Sequence, residues 1–352
     1  MSVTVGVIGC GGIARFHFSG LAKAGAQVRW ACDLDEQAAR PWAQRFNARV
    51  TRDYRDVMAD PQVQAVVVAT VSSAHKEICL SAIAAGKAVI CEKTLAQNAQ
   101  DAWEIVRAAR QAGTILYTSY MKRFIPAVGQ AKRLLPSLGK IVSTHIRAHQ
   151  CWGNLWEAAP NSGIFHRPAG GTSQVRGKYG GGILVCGGSH ILDLVLHLLG
   201  RPVWLAAFMH TPAGLDVDLQ AAVLMDTPNG RVLLEALAHP LARIGFLRDG
   251  WDERVEITGA RGRLEIYSSA WDQVDSKASL LVHYDNASGI ATEHRYAPES
   301  PFDRAAAFFC ENIEQGRQGD QSPLTGYEVD NLIEHVQRSA QLRQAVQVQW
   351  QA

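Results

Sequence analysis

Short aliphatic runs alternate with amphipathic stretches through the first third of the chain. Val3–Ile8, Gln27–Cys32, Gln64–Ala69, Ala88–Cys91 and Thr114–Thr118 read as strands, and Gln64–Ala69 is apolar enough for burial on both faces. Between them, Ile13–Ala24, Asp35–Phe46, Asp53–Ala59, a stretch from Ser72 to Ala85 and Gln97–Ala112 carry helical periodicity. Ser72 and Ser73 offer caps, and Gly86 closes the helix they start. This alternation predicts a doubly wound parallel sheet covered on both faces.

Beyond Lys140 the rhythm changes. Ile141–His149 reads as a long strand, followed by a Gly-, Trp- and His-rich loop to Gly182 whose length marks it as functional or flexible. Ser189–Leu199 is a helix stopped by Gly200 and Pro202. Strands Val217–Asp226 and Arg231–His239 flank Thr227-Pro228-Asn229-Gly230, and Arg254–Thr258 and Arg263–Tyr267 flank Gly259–Gly262. Two closing helices span about Phe302–Gly316 and Tyr327–Gln344. The expectation is an α/β protein with a dinucleotide-binding domain over 1–122 and an α+β domain over 123–352 built on a large, mainly antiparallel open sheet. One face of such a sheet suits a homodimer or homotetramer interface. No internal repeat or low-complexity tract interrupts the chain.

Composition narrows the partners. The 352 residues are 47% hydrophobic with a formal net charge of +2, and no basic run with interleaved aromatics points to nucleic acid. No apolar stretch approaches the eighteen or so residues of a membrane span. The first strand begins close to Met1, which leaves no room for a leader and sets the expectation of a cytoplasmic protein. Seven scattered cysteines without a C-x-x-C pair suggest neither a disulfide framework nor a zinc site.

Chemistry concentrates at the predicted strand ends. Gly9-Cys10-Gly11-Gly12-Ile13-Ala14 joins the first strand to the first helix, where backbone N–H groups and the helix N-terminus face a pyrophosphate. Ala14 holds the place of the third glycine of the dinucleotide fingerprint. About twenty residues on, Asp33 ends the second strand, where a carboxylate accepts ribose hydroxyls and repels a 2′-phosphate. The cofactor reading is therefore NAD. Thr70 and Glu92-Lys93 end later strands, so one cofactor could touch them all; Leu34, Val71, His75 and Met121 join them as candidate cofactor contacts.

Lys93 at its strand end could polarise a substrate hydroxyl beside the nicotinamide, although Glu92-Lys93 also reads as a solvated pair. The run Gly180-Gly181-Gly182 to Gly187-Gly188-Ser189-His190 is the third signal. His190 opens an apolar helix whose dipole favours a neutral imidazole suited to a general base; it also reads as a core histidine satisfied by Asp193 or a backbone group. His190 and His197 lie seven residues apart, roughly 10 Å along a helix, too far for one metal.

The glycine fingerprint, Glu92-Lys93-Thr94 and the segment from the three glycines to His190-x-x-Asp193 together resemble the Gfo/Idh/MocA family of oxidoreductases. The resemblance covers most of the chain, including Tyr120-Met121-Lys122-Arg123-Phe124 and Arg338-Ser339-Ala340. It implies a Rossmann domain followed by an open-sheet domain, Lys93 as the family's active-site lysine, His190 as its catalytic histidine, and sugars or polyols as substrates. Thr94 stands where the family carries proline after the lysine, and Cys186 replaces an aspartate that assists the base in many members.

The leading expectation is hydride transfer between NAD and a secondary carbinol of a carbohydrate. Candidate substrate contacts are Arg123, Trp152, His166, Lys178, Tyr179 and Cys186, with Trp152 able to stack on a sugar face. Basic loop groups, Arg167 and Arg176 among them, either hold an anionic substituent or are scattered surface charges. Lys178 or Tyr179 could replace the missing acid–base partner. Two other readings use the same cofactor: a redox-neutral glycoside hydrolase working by transient C3 oxidation, and a non-catalytic NAD-binding sensor.

Overall fold

The computed structural model describes residues 2–157, 181–270, 272–273 and 276–351. The chain divides into two compact units, Met1–Met121 with Phe302–Asp330, and Lys122–Pro301 with Asn331–Ala352.

In the first unit β1 (Thr4–Ile8), β2 (Gln27–Cys32), β3 (Arg49–Thr51), β4 (Ala65–Val68), β5 (Ala88–Cys91) and β6 (Leu116–Thr118) form a parallel sheet of order β3-β2-β1-β4-β5-β6. Strand order reverses at β1, and the glycine turn leaves from the carboxyl end of that strand. All four residues of β4 are buried, as a strand covered on both faces requires, and each aliphatic side chain so buried contributes about 1.5–3 kcal/mol. The intervening helices are α1 (Ala14–Lys23), α2 (Glu36–Phe46), α3 (Tyr54–Ala59), α4 (Ser72–Ala84) and α5 (Ala99–Ala112). Asp35, Asp53 and Asn98 cap three of them by accepting backbone N–H groups.

Phe302–Asp330 also belongs to this unit, whereas the sequence reading placed everything after residue 122 in the second domain. The segment contains most of α8 (Pro301–Glu314; α6 and α7 belong to the second unit, below). Phe309 stacks on Tyr117 at 4.5 Å and Phe302 on Phe16 at 4.9 Å. Gln318 accepts from Leu116 N at 3.1 Å and donates to Leu116 O at 2.7 Å, pairing with edge strand β6 as another strand would.

The second unit holds α6 (Pro126–Leu134), β7 (Ile141–Cys151), α7 (Ser189–Leu199), β8 (Trp204–His210), β9 (Gln220–Thr227), β10 (Gly230–His239), β11 (Trp251–Gly259), β12 (Gly262–Ser268), β13 (Leu280–Asp285), β14 (Ile290–Arg295) and β15 (Val346–Gln347). Its strand order is β14-β13-β12-β11-β7-β10-β9-β8-β15. Among the described residues β7 and β10 pair in parallel and the other neighbours are antiparallel. The parallel pair needs a crossover, and α7 lies within it.

One sheet face is the core: Ile146, Ala207, Val223, Leu234 and Val255 are buried there, and α7 packs against β7 and β10. The other face is open. Ala206, Leu224 and Leu233 stand in register across β8, β9 and β10, with Phe208 74% exposed beside them. From β7 to β12 that face is charged instead, with Arg254 and Arg263 paired to Glu256 and Glu265.

Candidate active site

The glycine turn of the first unit shows why its residues are small. Gly9 has φ +94°, and a Cβ there would lie 2.5 Å from the Ala69 carbonyl, so a side chain is excluded twice over. At Gly11 and Gly12 a Cβ would meet nothing within 4 Å. That open space adjoins the start of α1, where Ile13 provides no side-chain cap and the buried Ala14 begins the helix. Uncapped N–H groups beside unfilled room suit the pyrophosphate of a dinucleotide.

Asp33 fits the ribose end. Its Oδ2 accepts Cys10 N at 2.7 Å and its Oδ1 accepts Asp35 N at 2.9 Å, which fixes the carboxylate while leaving each oxygen a lone pair for a sugar hydroxyl. Leu34 projects beside it, 79% exposed. The Cys10 thiol is buried and pushed up to about 12, by desolvation first and then by Asp33, so it stays protonated beside the turn.

Two residues predicted to contact the cofactor, His75 and Glu92, are buried. His75 is fully buried, with Nδ1 2.8 Å from Thr94 O and Nε2 3.2 Å from Thr70 O. Desolvation drives its pKa down despite both carbonyls, so the ring is neutral and its single N–H serves one of them, the Thr94 oxygen at the shorter distance. Its N–H fastens α4 to the Thr94 carbonyl just past β5. Glu92 is buried likewise, facing His17 Nε2 at 2.7 Å and accepting Lys93 N at 3.2 Å. Burial alone would raise its carboxyl; the hydrogen bond from His17 and the Lys93 charge more than reverse this and hold it below the ordinary range.

Of the remaining candidates in this unit, Lys93 and Thr70 are partly exposed, Val71 is exposed at the start of α4, and Met121 is buried. The Lys93–Thr94 peptide bond is cis.

In the second unit a π-helical stretch, Leu184–Gly188, runs directly into α7 and rests on β7, β9 and β10. Glycines let it do so. A Cβ on Gly182 would lie 2.1 Å from Asp218 O, and one on Gly187 2.5 Å from Gln150 Nε2. Asp218, which sequence reasoning missed, accepts Gly182 N at 3.2 Å and Leu184 N at 2.8 Å through its carboxylate. From 181 to 195 every residue is buried except Cys186 and His190. These two, one helical turn apart, are the partly exposed residues of the segment.

Below Gly187 runs a buried polar chain, also missed. Lys122 pairs with Glu253, Gln150 donates to Glu253 Oε1 at 2.9 Å, and Trp152 Nε1 donates to Gln150 Oε1 at 3.3 Å. Trp152, predicted as a sugar platform, is the half-buried end of this chain. Arg123, predicted to hold substrate, grips the fully buried Asp193 in a bidentate pair, with Nε 2.8 Å from Oδ2 and Nη2 2.6 Å from Oδ1. That pair fastens the 3-10 turn Met121–Phe124 to α7 one turn beyond His190. His197 is held down to about 3 by burial and by the nearby Arg123 and Lys132 charges, so it is neutral. His166, Lys178 and Tyr179 lie outside the described residues. Among the described residues no cluster of His, Cys, Asp or Glu could hold a metal ion, and no helix is long and apolar enough to cross a membrane.

Residues 3–120 match the family described as oxidoreductase family, NAD-binding Rossmann fold, and residues 130–265 match the GFO/IDH/MocA C-terminal domain. Inositol 2-dehydrogenase 2 of Saccharopolyspora erythraea is 30% identical over 309 residues, covering 85% of this chain and 80% of that protein. Inositol 2-dehydrogenase of Acidothermus cellulolyticus is 41% identical over 130 residues, 36% of this chain and 38% of that one. Among solved structures, a levoglucosan dehydrogenase in complex with NADH and levoglucosan superposes with a TM-score of 0.82 at 22% identity, over 99% of this chain and all of that one. An oxidoreductase domain protein from Kribbella flavida gives 0.83 at 22% identity, with the same coverage. At that identity the two structures speak for the fold.

Proposed function

The chain belongs to the GFO/IDH/MocA family of oxidoreductases, and from that membership we propose that it transfers a hydride between NAD and a secondary carbinol of a sugar or cyclic polyol. Its first unit is an NAD-binding Rossmann domain. The pyrophosphate would lie over Gly11 and Gly12, and the adenosine ribose against Asp33. NAD bound there supplies the hydride acceptor, or the donor in the reverse direction.

His190 takes the hydroxyl proton on oxidation and returns it on reduction; the Lys93 ammonium holds the oxygen and stabilises its developing negative charge. The observation that carries this reading is that His190, with Cys186, is only partly buried in a segment whose other residues from 181 to 195 are buried. Asp193 and Arg123 hold the helix that carries the imidazole, so they position the base without touching substrate. Cys186 puts a thiol where the family's aspartate would add a negative charge, which leaves His190 as the base on this segment. Cyclic polyols are favoured because the relatives aligned with the chain are named inositol 2-dehydrogenases.

The test follows reduced-nicotinamide absorbance with inositols, neutral and acidic sugars, anhydrosugars and glycosides. We expect NADH to accumulate with a free polyol or sugar. His190→Ala and Lys93→Ala should each lower kcat/KM by about 10²–10⁴-fold, with NAD still bound by the histidine variant. Full activity in both variants would overturn the assignment. Glycoside cleavage without net NADH would replace it with the redox-neutral hydrolase.

A further inference from the structure

The strand next to Asp33 carries a cation that the cofactor reading has not used. β3 lies beside β2 with Cys32 opposite Thr51, and Asp33 N donates to Thr51 O at 3.1 Å, so Arg52 follows at the same sheet end as Asp33 and Leu34. The Arg52 side chain is anchored there: Nε donates to Leu34 O at 3.0 Å. The residue is exposed, and among the described residues its guanidinium makes no ion pair although three aspartates surround it in sequence and across the sheet. Each of those carboxylates is turned to a backbone N–H: Asp33 to Cys10 and Asp35, Asp35 to Gln37, and Asp53 to Arg55. Arg55 takes the remaining attention of Asp53 at 3.3 Å.

We propose that Arg52 is a specificity-determining residue for the cofactor, a seat for the 2′-phosphate of a phosphorylated dinucleotide, opposed by the Asp33 carboxylate. A ribose held on Asp33 would sit at the sheet end that also carries Leu34 and Arg52, and a guanidinium pinned by one nitrogen keeps its other N–H groups for phosphate oxygens. The two residues act in opposition. Asp33 accepts ribose hydroxyls and repels the phosphate; Arg52 recovers part of that loss. Discrimination between NAD and NADP is then a balance of two charges on neighbouring strands, and NADP is disfavoured without being shut out.

The experiment is calorimetric titration of the whole chain with 5′-AMP and with 2′,5′-ADP, which differ only by the phosphate in question. In Arg52→Ala the affinity for 2′,5′-ADP should fall about tenfold while that for 5′-AMP changes less than about twofold. Raising ionic strength should weaken 2′,5′-ADP more in the natural chain than in Arg52→Ala. Asp33→Asn should strengthen 2′,5′-ADP about tenfold relative to 5′-AMP, and Arg52→Ala should cancel that gain in the double variant. An unchanged ratio of the two affinities on removing Arg52 would overturn the proposal while leaving the NAD site intact. Failure of the natural chain to bind 5′-AMP would overturn both.

Discussion

Gly9–Gly12 and Gly181–Gly188 look alike in composition and are built for opposite reasons. In the first, Gly11 and Gly12 border space that no protein atom fills. In the second, Gly182 and Gly187 lie against Asp218 and Gln150 so closely that the protein itself occupies the missing side chains. One turn keeps room for a ligand, and the other removes atoms so that a helix can settle on a sheet and hold out His190. A glycine-rich stretch therefore says that something approaches closely. What approaches is decided by the rest of the fold.

The contrast can be tested by adding atoms or removing support. The largest loss is expected from Glu253→Ala, which strands the buried Lys122 ammonium and frees Gln150 under Gly187; thermal or denaturant unfolding should report about 3–5 kcal/mol. Gly182→Ala comes next. Its methyl would meet backbone atoms of Asp218, which cannot rotate away, and about 3 kcal/mol is expected with a loss of turnover. Gly11→Ala should leave stability within about 0.5 kcal/mol and still weaken NAD in a calorimetric titration, because the added methyl enters the space proposed for the pyrophosphate. Equal destabilisation by Gly11→Ala and Gly182→Ala would erase the distinction between the two turns.

The parallel sheet was legible because its strands are buried on both faces and leave unbroken aliphatic runs, as in Val66-Val67-Val68. Ile290–Arg295 was not, since nearly every position of that edge strand is exposed and no apolar alternation survives. Three-residue Arg49–Thr51 is too short for any period to show. The membership of Phe302–Asp330 in the first unit was equally hidden: an amphipathic helix announces that it has an apolar face and not whose core will cover it.

The candidate site divides the same way. Gly9, Asp33 and His190 were singled out through spacing from strand and helix ends. His75 and Glu92 were read as cofactor contacts and Arg123 as a substrate contact from their places in the sequence. The fold adds their protein partners, the Thr94 carbonyl, His17 and Asp193. Asp218, Gln150 and Glu253 stand on strands or loops far from any motif, and nothing local distinguishes them from surface polar residues.

The pairing of Gln318 with Leu116 carries a consequence for how the polypeptide is made. The dinucleotide-binding half emerges first from the ribosome, yet the piece that seals its last strand is synthesised only after all of Lys122–Pro301 has been translated. At usual elongation rates that interval is roughly ten seconds or more, during which the bare rim of that sheet could recruit a neighbouring nascent chain. Vectorial synthesis thus leaves this protein a window of vulnerability that its finished form no longer displays.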